Sequence, residues 1–158
     1  MRWGIASLLF LLLGSVAGEA QAEWRQAFRT GVDTKIHSFR QDGIRSDRWL
    51  VGAEGGILES KDAGATWKRT LTAPSGQPIR ILQQEAGLER WWAATPRTIY
   101  RSVDGGRRWE PAAQFLSRAG QIRCLLVDGG VLYAGLTSAL LVSHDEGSTW
   151  SEAAEFAG

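Results

Sequence analysis

The sequence predicts an all-β protein made of small antiparallel sheets repeated along the chain. Three observations lead there. An eight-residue frame occurs three times, as Ser60-Lys61-Asp62-Ala63-Gly64-Ala65-Thr66-Trp67, Ser102-Val103-Asp104-Gly105-Gly106-Arg107-Arg108-Trp109 and Ser143-His144-Asp145-Glu146-Gly147-Ser148-Thr149-Trp150. Its aspartates stand 42 and then 41 residues apart, a period at which each repeat is one supersecondary unit. Between the frames lie short apolar runs bounded by Gly- and Asp-rich turns, and no stretch after the N-terminus carries a helical period. Four short strands per repeat is the pattern of a β-propeller blade. The expectation is about three four-stranded antiparallel blades in a partial or open arc.

The N-terminus reads differently. Met1-Arg2-Trp3 is followed by an apolar run over 5–13 and by small residues ending Ala20-Gln21-Ala22. A short basic start, an apolar stretch too short to span a bilayer and an A-x-A site make a secretory signal peptide at 1–22. Export to the periplasm or the extracellular space follows, with no membrane span after cleavage. No cysteine stands after the site, which speaks against a lipid anchor there.

The repeats occupy 23–158 in this reading. Trp24 heads a lone closing strand at 24–30, in the register of the strands led by Trp67, Trp109 and Trp150. Unit 1 is 34–71, unit 2 is 78–113 and unit 3 is 121–154. Their first strands begin Ile36-His37, Ile79-Arg80 and Ile122-Arg123, and their next two strands align without gaps at 49–60, 91–102 and 132–143. Three first strands and four Trp-led last strands do not close a ring. A longer protein, two copies completing one ring, or an open arc covered by a partner would each resolve the count. An uncovered end exposes an apolar face and an unpaired edge, and both favour association.

Each frame reads as a turn between two strands. The Asp carboxylate can accept bonds from turn N–H groups, the Gly can take a left-handed backbone, and Ser and Thr hydroxyls can bond across the turn. A structural role is therefore expected for Ser60, Asp62, Gly64, Thr66 and Trp67, for Ser102, Asp104, Gly106 and Trp109, and for Ser143, Asp145, Gly147, Thr149 and Trp150. Arg108 replaces Thr in the second copy, so that turn is expected to close less tightly. The frame lacks the alternating acidic ligands and distal Glu of a calcium loop.

The frame S-x-D-x-G-x-[T/R]-W resembles the Asp-box, or BNR repeat, of sialidase-like β-propellers. The group most similar is the photosystem II stability/assembly-factor-like set of Asp-box propellers. That resemblance implies exported, non-enzymatic scaffolds that bind protein partners, with an arginine-rich surface used for binding. Sialidases themselves carry an Arg-Ile-Pro motif, an arginine triad and a Tyr–Glu pair. This sequence has no Arg-Ile-Pro, and its two tyrosines, Tyr100 and Tyr133, fall at strand-interior positions.

The remaining chemistry is sparse. Net charge is +1, which argues against bulk attraction to nucleic acid. Cys124, the single cysteine, reads as a small buried strand residue, since it has no partner for an internal disulfide. There is no phosphate-binding Gly-rich loop and no zinc spacing, so neither a metal nor a cofactor is expected. No catalytic residue is assigned. His37, Arg80 and Arg123 share one position in the three first strands and are candidates for binding a carboxylate-bearing partner. Arg97, Arg101, Arg107 and Arg108 form a second basic group, read as a solvated face. Self-association, as a possible dimer, is the other partner expected. The alternatives are a fragment of a sialidase-like glycosidase and a carbohydrate-binding propeller with Trp91 or Trp92 exposed as a stacking platform.

Overall fold

A computed structural model describes residues 34–115 and 120–153. The signal peptide at 1–22 and the closing strand at 24–30 lie outside the described residues. Among the described residues, twelve strands form three four-stranded antiparallel sheets. The first sheet is β1 (Ile36–Gln41), β2 (Trp49–Ala53), β3 (Gly56–Ser60) and β4 (Lys68–Thr72). The second is β5 (Ile81–Gln84), β6 (Trp91–Ala94), β7 (Thr98–Ser102) and β8 (Glu110–Gln114). The third is β9 (Ile122–Asp128), β10 (Val131–Leu136), β11 (Leu140–Ser143) and β12 (Ser151–Glu152). In each sheet the strands follow chain order, so every sheet is a meander. The described sheets form an open arc of propeller blades rather than a closed ring.

Strand alternation decides what each face carries. In the first sheet Leu50 and Ile57 face the second sheet, where Leu82, Trp91, Ala93 and Tyr100 receive them. The second sheet's other face carries Trp92, Ala94 and Ile99, which pack on Leu125, Leu132, Ala134 and Leu136 of the third. Burying a side chain of this size stabilises by roughly 1.5–3 kcal/mol. Gly52 allows the first two sheets to approach: a Cβ there would lie 2.4 Å from the Ile79 carbonyl oxygen.

Three expectations are corrected. Trp91 and Trp92 are both fully buried, so neither offers a stacking platform. They face opposite sides of β6, but the middle sheet has a neighbour on each side. Cys124 is exposed, because it lies on the face of the third sheet turned away from the second. The second first strand begins pairing at Ile81 rather than Ile79. The Ile79 N–H instead donates back to the Ala53 carbonyl of the preceding sheet at 3.1 Å, while Arg80 N–H bonds Ala94 at 2.9 Å.

Candidate functional site

The three Asp-boxes share one hydrogen-bond pattern. The serine hydroxyl donates to Oδ1 of the aspartate, at 2.8 Å for Ser60–Asp62, 2.9 Å for Ser102–Asp104 and 2.8 Å for Ser143–Asp145. The same serine oxygen accepts the glycine N–H, at 2.7 Å from Gly64 and Gly106 and 2.8 Å from Gly147. Asp62 and Asp145 also accept the backbone N–H of Thr66 and Thr149 at 2.8 Å and their hydroxyls at 2.5 Å. Asp104 accepts the N–H groups of Arg107 and Arg108 at 3.0 and 2.9 Å, and Arg108 brings no hydroxyl. The second box therefore has a second backbone N–H, from Arg107, where the other two have a threonine hydroxyl.

The tryptophans close the turns. Trp109 and Trp150 donate their indole N–H to the carbonyls of Gly106 and Gly147 at 3.0 Å. Trp67, Trp109 and Trp150 each stand one residue before the last strand of their sheet. Gly64 and Gly106 have φ of 93° and 82°, and a Cβ would strike the Trp49 ring at 2.9 Å and Leu50 at 2.8 Å. Each box is thus fitted against a side chain as well as folded on itself.

This geometry shapes the acidity of the boxes. The Thr66 hydroxyl and N–H, with Ser60, hold the Asp62 carboxyl down at about 2. The Thr149 hydroxyl and N–H, with Ser143, do the same for Asp145, also to about 2. Burial pushes the Asp104 carboxyl up, but bonds from Arg108, Ser102 and Arg107 outweigh it and leave it lowered. A carboxylate held this low neither donates nor takes a proton effectively near neutral pH. Its lone pairs already serve its own turn.

His37, Arg80 and Arg123 lie near the starts of the first strands, at the end of the sheets opposite the boxes. These strands neighbour one another: the Ser38 hydroxyl reaches the Ile79 carbonyl at 3.2 Å and the Gln83 amide the Leu125 carbonyl at 2.7 Å. His37 Nε2 meets Glu54 Oε2 at 2.8 Å. Pro96 and Thr137 stand where the aligned units would repeat Glu54. Arg80 and Arg123 are exposed and make no ion pair among the described residues. Lys35 and Arg97 are exposed at the same end. Among the described residues, no group of His, Cys, Asp and Glu is arranged to hold a metal ion. No helix among them is long and apolar enough to cross a membrane.

The sequence reading missed an ionic network at the box end. Arg48 is buried, with Nε on Glu59 Oε1 at 2.6 Å and Nη1 on Asp42 Oδ2 at 2.8 Å. Asp42 is also buried and takes bonds from the Ile44 N–H and the Gln84 amide. Burial pushes its carboxyl up, yet Arg48, Ile44, Gln84 and Arg45 together bring it to about 2. Arg45 crosses to Glu89 of the second sheet at 3.1 Å. The second interface has its own crossing pairs, with Arg90 and Arg101 reaching Glu146 at 3.1 and 2.8 Å. The signal was present: Arg48 and Arg90 stand in register directly before Trp49 and Trp91. Arg101, read as part of a solvated face, is instead half-buried in this network.

Comparison with known proteins places this architecture. Residues 18–117 match the family described as photosynthesis system II assembly factor YCF48. The photosystem II assembly lipoprotein Ycf48 of Synechococcus sp. (strain CC9902) is 36% identical over 66 residues, covering 40% of this chain and 20% of that protein. YCF48 from Cyanidioschyzon merolae superposes with a TM-score of 0.63 at 16% identity, over 77% of this chain and 38% of that one. A structure of YCF48 bound to D1 peptide gives 0.64 at 20% identity, over 77% and 40%. An ancestral GH74 enzyme gives 0.67 at 16% identity, over 77% and 18%. At these identities the solved structures establish a shared fold, and the chain spans two fifths or less of each of these proteins. With the family match extending over most of its length, the chain belongs to the photosystem II assembly factor YCF48 family of Asp-box β-propellers.

Proposed function

We propose that this chain is a non-catalytic, exported protein-binding module that serves in assembling a protein complex and holds a carboxylate-bearing peptide at its basic end. The observation that carries the reading is the difference between equivalent positions. His37 is tied to Glu54, whereas Arg80 and Arg123 in the same register are exposed and unpaired among the described residues. A guanidinium can grip a carboxylate through two parallel bonds, and two on neighbouring strands suit an extended acidic segment or a chain terminus. Membership in an assembly-factor family supports a protein partner, as does the solved relative bound to D1 peptide. The signal-like segment at 1–22 and a relative that is a lipoprotein support export to the cell envelope.

Calorimetric titration of the purified protein with D1 peptide tests the binding reading. Saturable binding is expected, weakened at least about tenfold by the double variant Arg80→Glu, Arg123→Glu, a loss of about 1.4 kcal/mol. Binding unchanged by that variant removes these arginines from the site. Turnover of an aryl-glycoside that one acidic substitution abolishes would replace the scaffold reading with the glycosidase alternative. Export is tested by mass spectrometry of the protein recovered from cells. A mature N-terminus at Glu23 supports it, and a cytoplasmic chain retaining 1–22 refutes it.

A further inference from the structure

At the end opposite the boxes each sheet presents two groups, the start of its first strand and the hairpin turn between its second and third strands. Backbone bonds fix them to one another. In the first sheet the Glu54 N–H donates to the Lys35 carbonyl at 2.9 Å, and the Thr34 hydroxyl to the Glu54 carbonyl at 3.2 Å. Between sheets the Ile79 N–H donates to the Ala53 carbonyl at 3.1 Å, and the Ile122 N–H to the Pro96 carbonyl at 2.8 Å. Arg80 and Arg123 directly follow those isoleucines. Each arginine thus starts beside the hairpin turn of the preceding sheet, and Glu54 starts beside Arg80.

Charge along these starts and turns is uneven. Among their described residues Lys35, Arg80, Arg97 and Arg123 are exposed and form no ion pair, and Glu54 is the single acid. Its side chain is 49% exposed, yet it turns back to His37 of its own sheet, with Oε2 at 2.8 Å from Nε2, and makes no ion pair with Arg80. Pro96 and Thr137 in the aligned turns carry no charge, so the counterparts of His37 have no such cap. A carboxylate supplied by the chain itself therefore sits on the first of three equivalent positions. A ligand carboxylate reaching that position would find Nε2 taken and a like charge in place, which is how a binding site rejects a partner by repulsion. The surroundings are otherwise suited to an anion: Lys35 is exposed beside Glu54, and Arg69 reaches the Gly55 carbonyl at 2.8 Å.

We propose that Glu54 sets the specificity of the basic end by standing in for a ligand carboxylate on His37, which confines ligand carboxylates to Arg80 and Arg123. The inference rests on the peptide-binding reading given under Proposed function. It adds that the ligand is a short acidic segment engaging the second and third sheets, and that a longer acidic run gains nothing by reaching the first. Removing Glu54 opens a third position of the same kind.

Calorimetric titration of the purified full chain with acetylated, amidated oligo-aspartates of four and eight residues tests this. Packed sheets lie about 10 Å apart, so the tetramer, at most about 14 Å long, spans two strand starts, and the octamer spans all three. Glu54→Ala should tighten the octamer at least about fivefold and the tetramer no more than about twofold. The gain should vanish in the double variant His37→Ala, Glu54→Ala, because it runs through His37, whereas a gain from net charge alone would persist there. Glu54 is half-exposed in a turn, so these variants keep the parent's circular dichroism spectrum and thermal midpoint. Arg80→Glu, Arg123→Glu should abolish binding of both peptides, which reports on the underlying site. If that variant binds like the parent, or the parent binds neither peptide, the peptide site and this proposal fall together. If it loses binding while Glu54→Ala leaves the octamer unchanged, only the role of Glu54 falls. A gain that survives the loss of His37 overturns that role as well.

Discussion

Arg48 Nε and Glu59 Oε1 lie 2.6 Å apart with both side chains at most 5% exposed, and Asp42 holds the same guanidinium from the other side at 2.8 Å. The pair joins the residue before β2 to the penultimate residue of β3, beside the second sheet. Two carboxylates on one buried cation form a network in which every member depends on the others. Removing one partner leaves uncompensated buried charge, which costs about 3–5 kcal/mol. Arg48→Met should therefore lower the urea unfolding free energy by about that amount, and Lys61→Ala, at the exposed rim of Glu59, by less than about 1 kcal/mol. Equal effects from the two would mean that burial does not govern the network.

Acid should unfold the protein late. Asp42, Asp62 and Asp145 are each held at about 2, below the ordinary 3.8. A carboxyl whose folded pKa is depressed adds stability that is fully present above the unfolded value and is lost as pH falls through the folded one. Unfolding free energy should thus be flat in these groups above about pH 5 and fall between about pH 4 and 2. Thr66→Val and Thr149→Val together should flatten that fall. A double variant with the parent's acid profile would show that the hydroxyls do not set the carboxylate acidity.

The second Asp-box can be repaired. Asp104 lacks the hydroxyl bond that Thr66 and Thr149 give their aspartates. Arg108→Thr places a hydroxyl at the equivalent position and should stabilise by about 0.5–1.5 kcal/mol, the net worth of one hydrogen bond. A shift in the denaturant midpoint without a change in slope is the measurement.

Ala63 and Glu146 adopt φ of 53° and 58° at the box position where the second repeat has Gly105 at 73°. A left-handed backbone costs an L-residue roughly 1–2 kcal/mol, and glycine loses roughly 0.5–1 kcal/mol through its greater unfolded entropy. Ala63→Gly should stabilise by about 0.5 kcal/mol, and Gly105→Ala should destabilise by about 1 kcal/mol. Thermal midpoints that move in the opposite directions would refute the strain argument.

Trp91 and Trp92 give the sharpest packing test. Both are fully buried, one in each intersheet core. Each substitution to Ala should cost about 3–5 kcal/mol. Comparable losses at adjacent residues of one strand require that both faces of the middle sheet be filled, and a loss at only one would contradict the arrangement.

Much of the architecture was legible because its determinants are local. The Ser-x-Asp-x-Gly frame makes nearly all of its own hydrogen bonds within eight residues, so reading Asp62, Asp104 and Asp145 in sequence already located three turns and hence the strands around them. Strand alternation likewise places the adjacent Trp91 and Trp92 on opposite sides of one strand. What alternation does not say is whether a face has a neighbour. Cys124 and Leu125 are adjacent residues of β9, yet one is exposed and the other buried, because the second sheet covers only one side of the third. The ionic network escaped for the same reason: Arg48 and Arg101 look like ordinary surface cations until a neighbouring sheet brings acids and burial to them.

The sequence by itself determined the repeat, its period, the self-closing turns and the family, since these follow from short-range bonds and side-chain alternation. The tertiary structure decided which faces meet, which charges are paired and which stay unpaired among the described residues. Those outcomes depend on desolvation, and desolvation is a property of the neighbouring sheet rather than of the strand that carries the residue.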